Sequence, residues 1–189
     1  NTRANMAGGQ LARFYNLPYR TSACSASNAA DAQAVWETQM ALWGAVTGHG
    51  NLVYHAAGWG EGGLVADFEK LVIDCEMLQA MAAMLRPVSF DTADFGFSAH
   101  NEVEPGGHFF GTAHTMERYQ DAFYAPFLSD WSNHENWRDT GSKTATTRAM
   151  ALWPRMLNAY TPPPMDAGRI EEMQAYIVHR KEQIGSDTP

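Results

Sequence analysis

Glycine placement constrains this chain more than any other feature. Two loops, His55 to Leu64 (HAAGWGEGGL) and Pro105 to His114 (PGGHFFGTAH), set glycines beside aromatic and imidazole side chains. Glycine allows positive φ and close approach of a ligand to the backbone. Such loops therefore interrupt regular structure where something has to fit. The first follows a short apolar run, Asn51 to His55, and precedes a long stretch with helical spacing. Strand, glycine-rich loop and helix in succession form the βα unit of parallel α/β folds.

The remaining segments extend that pattern. Residues 2–15 read as a short helix with Leu11, Phe14 and Tyr15 on one side, broken at Asn16-Leu17-Pro18, and residues 18–21 read as a strand. Asp31 caps a helix whose apolar spacing runs through Ala32, Val35, Trp36, Gln39, Trp43 and Val46. Residues 51–55 predict a strand of the buried parallel kind. A helix follows over 67–85, with Phe68, Leu71, Val72, Cys75, Leu78, Ala82 and Leu85 as its buried stripe. Residues 98–103 fit a strand or a helical turn. A helix with Thr115 as its cap runs to about Tyr124, and residues 127–137 are aromatic and irregular. Helices over about 143–160, with a kink or break at Pro154, and 166–184 close the chain.

A closed eight-stranded barrel takes roughly 250 residues, and this chain has 189, beginning at Asn1 rather than Met. The expected fold is thus α/β. It is the C-terminal part of a (β/α)8 TIM-type barrel, helix-rich, with a few short parallel strands. Residues 1–125 are read as partial barrel and 126–189 as a helical C-terminal extension, within a single domain.

Composition narrows function. The net charge is −8 and no Lys/Arg cluster occurs, which argues against a nucleic-acid partner. No apolar run is long enough to span a membrane, and no signal-like segment opens the chain. Cys24 and Cys75 are too few for a disulfide framework, so the cytoplasm is the expected compartment. Cys75 reads as a small buried hydrophobe.

Aromatic faces and a nearby carboxylate are what hold a quaternary ammonium, which has no hydrogen-bond donor. Trp59 with Glu61, and Phe109 or Phe110 with Glu104, offer that combination. Trp59 is equally readable as a plug at a barrel end. His55, His100, His108 and His114 show no i, i+4 pairing of the zinc-helix type, so no metal site is expected. GWGEGG (58–63) satisfies G-x-G-x-x-G, but no βαβ unit with a ribose-binding acidic residue follows it, which argues against a dinucleotide.

Six segments carry a resemblance: LARFYNLPYRT (11–21), DAQAVWE (31–37), HAAGWGEGGL (55–64), FEKLVIDCEML (68–78), PGGHFFGTAHTMERY (105–119) and FLSDWSNHENW (127–137). On them the chain resembles the trimethylamine methyltransferase family, including its members without pyrrolysine that act on glycine betaine and related quaternary amines. The resemblance implies a full-length α/β barrel about twice this length or more, with a methylated amine in its mouth. It also implies a partner corrinoid protein whose Co(I) takes the methyl. The cobalamin belongs to that partner, and none is bound covalently by this chain. Trimethylamine-specific members use pyrrolysine, whereas this chain contains only the twenty ordinary residues, which favours a quaternary amine.

Under that resemblance the candidate catalytic residues are His55, Glu61 and His108. The candidate substrate-binding residues are Trp59, Glu104, Phe109 and His114. The two loops are expected to converge on one enclosure. A partial barrel leaves an open sheet edge, so a homo-oligomer is expected as well. Two other readings use the same residues: a non-catalytic module binding betaine-like cations, and an α/β metal hydrolase built on the histidines.

Overall fold

The computed structural model describes residues 1–185. It divides into two compact units, the first ending at Arg155 and the second beginning at Met156.

The first unit opens with helix α1 (Thr2–Phe14), followed by strand β1 (Arg20–Ser22), helix α2 (Ala32–Thr47) and strand β2 (Leu52–Tyr54). β1 and β2 pair in parallel, Arg20 opposite Leu52 and Ser22 opposite Tyr54, with α2 as the crossover. This is one βαβ unit, the smallest piece of the expected architecture. A two-residue hairpin follows, β3 (Trp59–Gly60) antiparallel to β4 (Val65–Ala66), where the glycine spacing predicted a plain loop. Helix α3 (Phe68–Met84) completes the second βα step.

Small residues let α1 and α2 approach closely. Asn5, buried in α1, donates to the carbonyls of Ser22 (3.2 Å) and Ala41 (3.1 Å) and so ties α1 to both β1 and α2. At Gly9 an added Cβ would lie 1.8 Å from the Gly48 carbonyl oxygen, so only glycine fits there. The apolar positions Leu11, Phe14 and Tyr15 are exposed.

Two apolar clusters form the core. Ala23, Ala41, Leu42 and Met81 make one. Val72, Ile73, Leu128 and Ala149 make the other. The buried face of α2 is Ala34, Thr38, Ala41, Leu42 and Ala45, while Trp36 of the predicted stripe is 57 % exposed. In α3 the buried residues are Lys70, Val72, Ile73, Asp74, Glu76 and Met81, and Phe68 and Leu71 face out. Cys75 is half-buried, and that burial pushes its thiol pKa up. β2 is parallel as predicted but open, with Leu52 and Tyr54 exposed.

Past α3 the chain makes short helices: α4 (Phe97–Glu102), α5 (Ala113–Arg118) and α6 (His134–Asp139). Residues 98–103 thus turn out helical. α5 is shorter than predicted and capped by Thr112, which accepts from the Thr115 amide at 3.3 Å. Helix α7 (Ala145–Asn158) continues through Pro154 without a break in its span. Its Trp153 stacks on Phe68 with centroids 4.8 Å apart and donates to Glu69 at 2.8 Å. In the second unit, helix α8 (Ala167–Gly185) falls where it was predicted. No helix among the described residues is long and apolar enough to cross a membrane.

Candidate functional site

Parallel pairing sends both chains out of the sheet on the same side, and that side carries the first cluster. Ser22 ends β1, and His55 follows directly on β2. The Ser22 hydroxyl lies 2.9 Å from His55 Nδ1 and 3.7 Å from Cys24 Sγ, to which it donates. His55 adopts φ 55, in the left-handed region that disfavours a side chain. Its ring meets the edge of Trp59, with centroids 5.0 Å apart and planes at 78°.

Three sets of bonds hold Trp59 in place. The Ser25 amide donates to the Trp59 carbonyl at 3.4 Å, and the Glu61 and Gly62 amides donate to the Ser27 and Ser25 carbonyls at 3.1 and 2.8 Å. Glu37 accepts from the Ser25 hydroxyl and the Ala26 amide, both at 2.8 Å, and from Gln33 at 2.9 Å. Those bonds, the one from Gln33 first, hold the Glu37 carboxyl below its ordinary pKa. From beneath, the Gly58 amide donates to the Asp74 carboxylate at 2.8 Å. Gly58 needs its φ of 77 there, and an added Cβ would meet Leu71 Cβ at 3.1 Å.

Asp74 is fully buried and also accepts from the Lys70 ammonium, which in turn donates to Thr38 at 2.9 Å. Burial raises the Asp74 pKa, against the opposing pull of Lys70. A buried pair of this kind leaves little slack, because removing either charge strands the other.

Beside Trp59 lies an open pocket of about 200 Å³, lined by Ala57, Gly58, Trp59, Asp67, Phe68 and Leu71 among others. Its wall is mostly apolar, with two aromatic side chains and one carboxylate. Glu61, also in the left-handed region at φ 48, is exposed on the far side of the hairpin, where it lines a second hollow with Lys70.

The second loop makes a separate cluster. His100 meets Phe109 edge-on at 5.2 Å, and His108 lies 5.2 Å from Phe110. His114 is bonded through Nε2 to the Ala93 carbonyl at 2.9 Å. The Glu102 carboxylate accepts from the Ala113 amide at 3.2 Å, folding the loop onto its own neighbours. Glu104, His108, Phe109 and Phe110 are exposed. Among the described residues no hydrogen bond and no ring contact joins this loop to the first. Each loop is held by bonds to its own neighbours, so the described residues form two clusters. Among the described residues no group of three or more His, Cys, Asp or Glu side chains is arranged to hold a metal.

Ser22, Cys24, Asp67, Phe68 and Asp74 were not legible as site residues. Ser22 carried one usable signal: it follows directly on a predicted strand, at the end where α/β folds place their ligands.

The model of the trimethylamine methyltransferase family matches residues 1–185. The chain belongs to the trimethylamine methyltransferase family. A glycine betaine methyltransferase of Desulfitobacterium hafniense (strain Y51) is 34% identical over 182 residues, 96% of this chain and 38% of that protein. A trimethylamine methyltransferase MttB of Desulfitobacterium hafniense (strain DSM 10664 / DCB-2) is 26% identical over 96% of this chain and 36% of its own length. A trimethylamine methyltransferase MttB2 of Methanosarcina mazei is 27% identical over 90% of this chain and 34% of its own length. The chain thus spans somewhat more than a third of these relatives.

Proposed function

We propose that this chain is the C-terminal portion of a cytoplasmic methyltransferase with a (β/α)8 barrel, which moves a methyl from a quaternary or tertiary methylamine such as glycine betaine to a corrinoid protein. One observation carries the reading: His55 and Trp59 stand side by side at the shared C-terminal end of a parallel strand pair. In α/β folds ligands bind at that end. The higher identity to the glycine betaine enzyme, 34% against 26% and 27% for two trimethylamine enzymes, favours a quaternary substrate.

The Trp59 pocket suits such a substrate. At about 200 Å³ it admits a trimethylammonium group and is far too small for a corrin ring, in keeping with a cofactor held by the partner. Trp59 and Phe68 hold the cation against their faces, and Asp67 lies within the same wall. Glu61 stands outside this pocket, in the neighbouring hollow, and adds negative charge to the surroundings. His55 orients the substrate beside Trp59. The second loop supplies Glu104, His108, Phe109 and His114 to substrate polar groups or to the corrin edge. A corrinoid partner, when docked, would supply Co(I) as the nucleophile toward the methyl carbon. From a quaternary ammonium the C–N bond would break with its pair going to nitrogen, which would depart uncharged, so no proton would have to move at that atom; a tertiary amine would need a proton on nitrogen first. The chain's own work is to exclude water and hold the C–N bond in line.

The test uses the complete protein with its corrinoid partner and glycine betaine. Trp59→Ala removes a cation–π contact worth about 1–2 kcal/mol and is expected to raise KM roughly tenfold. His55→Ala is expected to lower the transfer rate. Methyl transfer unaltered in both variants would overturn the reading.

A further inference from the structure

One wall of the pocket beside Trp59 is not fixed by the first turn of α3 alone. Phe68 lines that pocket, yet it is 51 % exposed. A ring with an open side can turn between rotamers unless something holds it. The support comes from far along the chain. Trp153 of α7 stacks on Phe68, with centroids 4.8 Å apart and planes at 19°. The Trp153 indole N–H donates to Glu69 Oε1 at 2.8 Å. An indole N–H is a donor only, so the direction of that bond is settled. Trp153 also packs against the apolar cluster of Val72, Ile73, Leu128 and Ala149. It does not itself line the pocket. Three consecutive residues therefore share two tasks. Asp67 and Phe68 wall the pocket, while Phe68 and Glu69 engage one indole.

We propose that Trp153 is a positioning residue that holds the Phe68 ring in place as a wall of the cation pocket, with Glu69 fixing the indole. The assignment rests on the reading of that pocket as a quaternary-ammonium site. Cation–π attraction requires a ring face within about 6 Å of the charge. A ring stacked on a tryptophan that is anchored in the core is set before the ligand arrives. Ordering a side chain in advance removes part of the cost that binding would otherwise carry. Helix α7 thus acts on the substrate through α3, although none of its residues lines the pocket.

The test titrates the complete protein with tetramethylammonium by calorimetry and records the denaturant midpoint of each variant. Phe68→Ala is expected to weaken binding roughly threefold, and Trp59→Ala to weaken it as well. Trp153→Leu keeps apolar packing but has no flat face. It is expected to weaken binding by a factor similar to that of Phe68→Ala, and to have no further effect when the two are combined. Residues that act through one contact are non-additive in this way. Trp153→Phe restores a flat ring against Phe68 and is expected to recover part of the loss. A tryptophan with a purely structural role would instead weaken binding equally with and without the Phe68 ring. Wild-type binding in Trp153→Leu, or an effect that adds in full to that of Phe68→Ala, overturns the proposal. Binding unaltered in both Trp59→Ala and Phe68→Ala overturns the pocket itself as a cation site, and the role of Trp153 with it.

Discussion

Glu37 shows how a single half-buried carboxylate can organise a loop at the sheet end. It accepts from Ser25, Ala26 and Gln33, and these bonds depress its pKa. A depressed folded pKa contributes stability that is fully present above the unfolded value and lost as pH falls through the folded one. The Ala26 amide resonance is therefore expected to move as pH drops below the ordinary glutamate range, and Glu37→Gln is expected to abolish that transition. An amide indifferent to pH in the wild type would refute the assignment. Other single residues act through conformation. His55 and Glu61 both occupy the left-handed region, at a cost of about 1–2 kcal/mol each. Nothing in a hydropathy pattern marks them. Glycines Gly58 and Gly62 beside them were legible as turn formers, and both do take positive φ.

At the level of elements, α2 and α3 were placed within a residue or two; Asp31, read as a cap, and Asp67, read as the first helical residue, both cap, each accepting from an amide of the first turn. Their buried faces were misread. Helical spacing of apolar residues picks the stripe with most hydrocarbon, whereas α3 buries Lys70, Asp74 and Glu76. Each has a stated employer. Lys70 and Asp74 pair with each other and reach Thr38 and Gly58, and Glu76 accepts from the Phe127 and Leu128 amides at 3.0 and 2.9 Å. Partners this distant in sequence cannot be read from one helix. Asp74→Ala strands a buried ammonium and is expected to cost about 3–5 kcal/mol in denaturant unfolding. The double variant Lys70→Met with Asp74→Leu is expected to recover most of that loss. A single variant as stable as the wild type would show that the pair carries little.

For the molecule as a whole, the telling feature is how much apolar surface stays uncovered. Phe14, Leu64, Phe90 and Phe110 are 79, 84, 79 and 79 % exposed, and among the described residues the parallel sheet has two strands with both outer edges unpaired. Surfaces of that kind seek partners. Residues 1–189 expressed alone are expected to self-associate, giving a mass by light scattering well above the 20.9 kDa of one chain. A monodisperse monomer would contradict this.

By itself the amino-acid order determined what is local: the Asp31 cap, the glycine turns, the βαβ succession and the family membership carried by its loop motifs. Those depend on neighbours a few residues apart, and side-chain chemistry there leaves few alternatives. Which helix faces are buried, the meeting of Ser22 with His55, and the closure of the two glycine loops into separate clusters were decided only in three dimensions. Each depends on hydrogen-bond partners brought together by strand pairing and helix packing, and hydropathy carries no record of a polar partner.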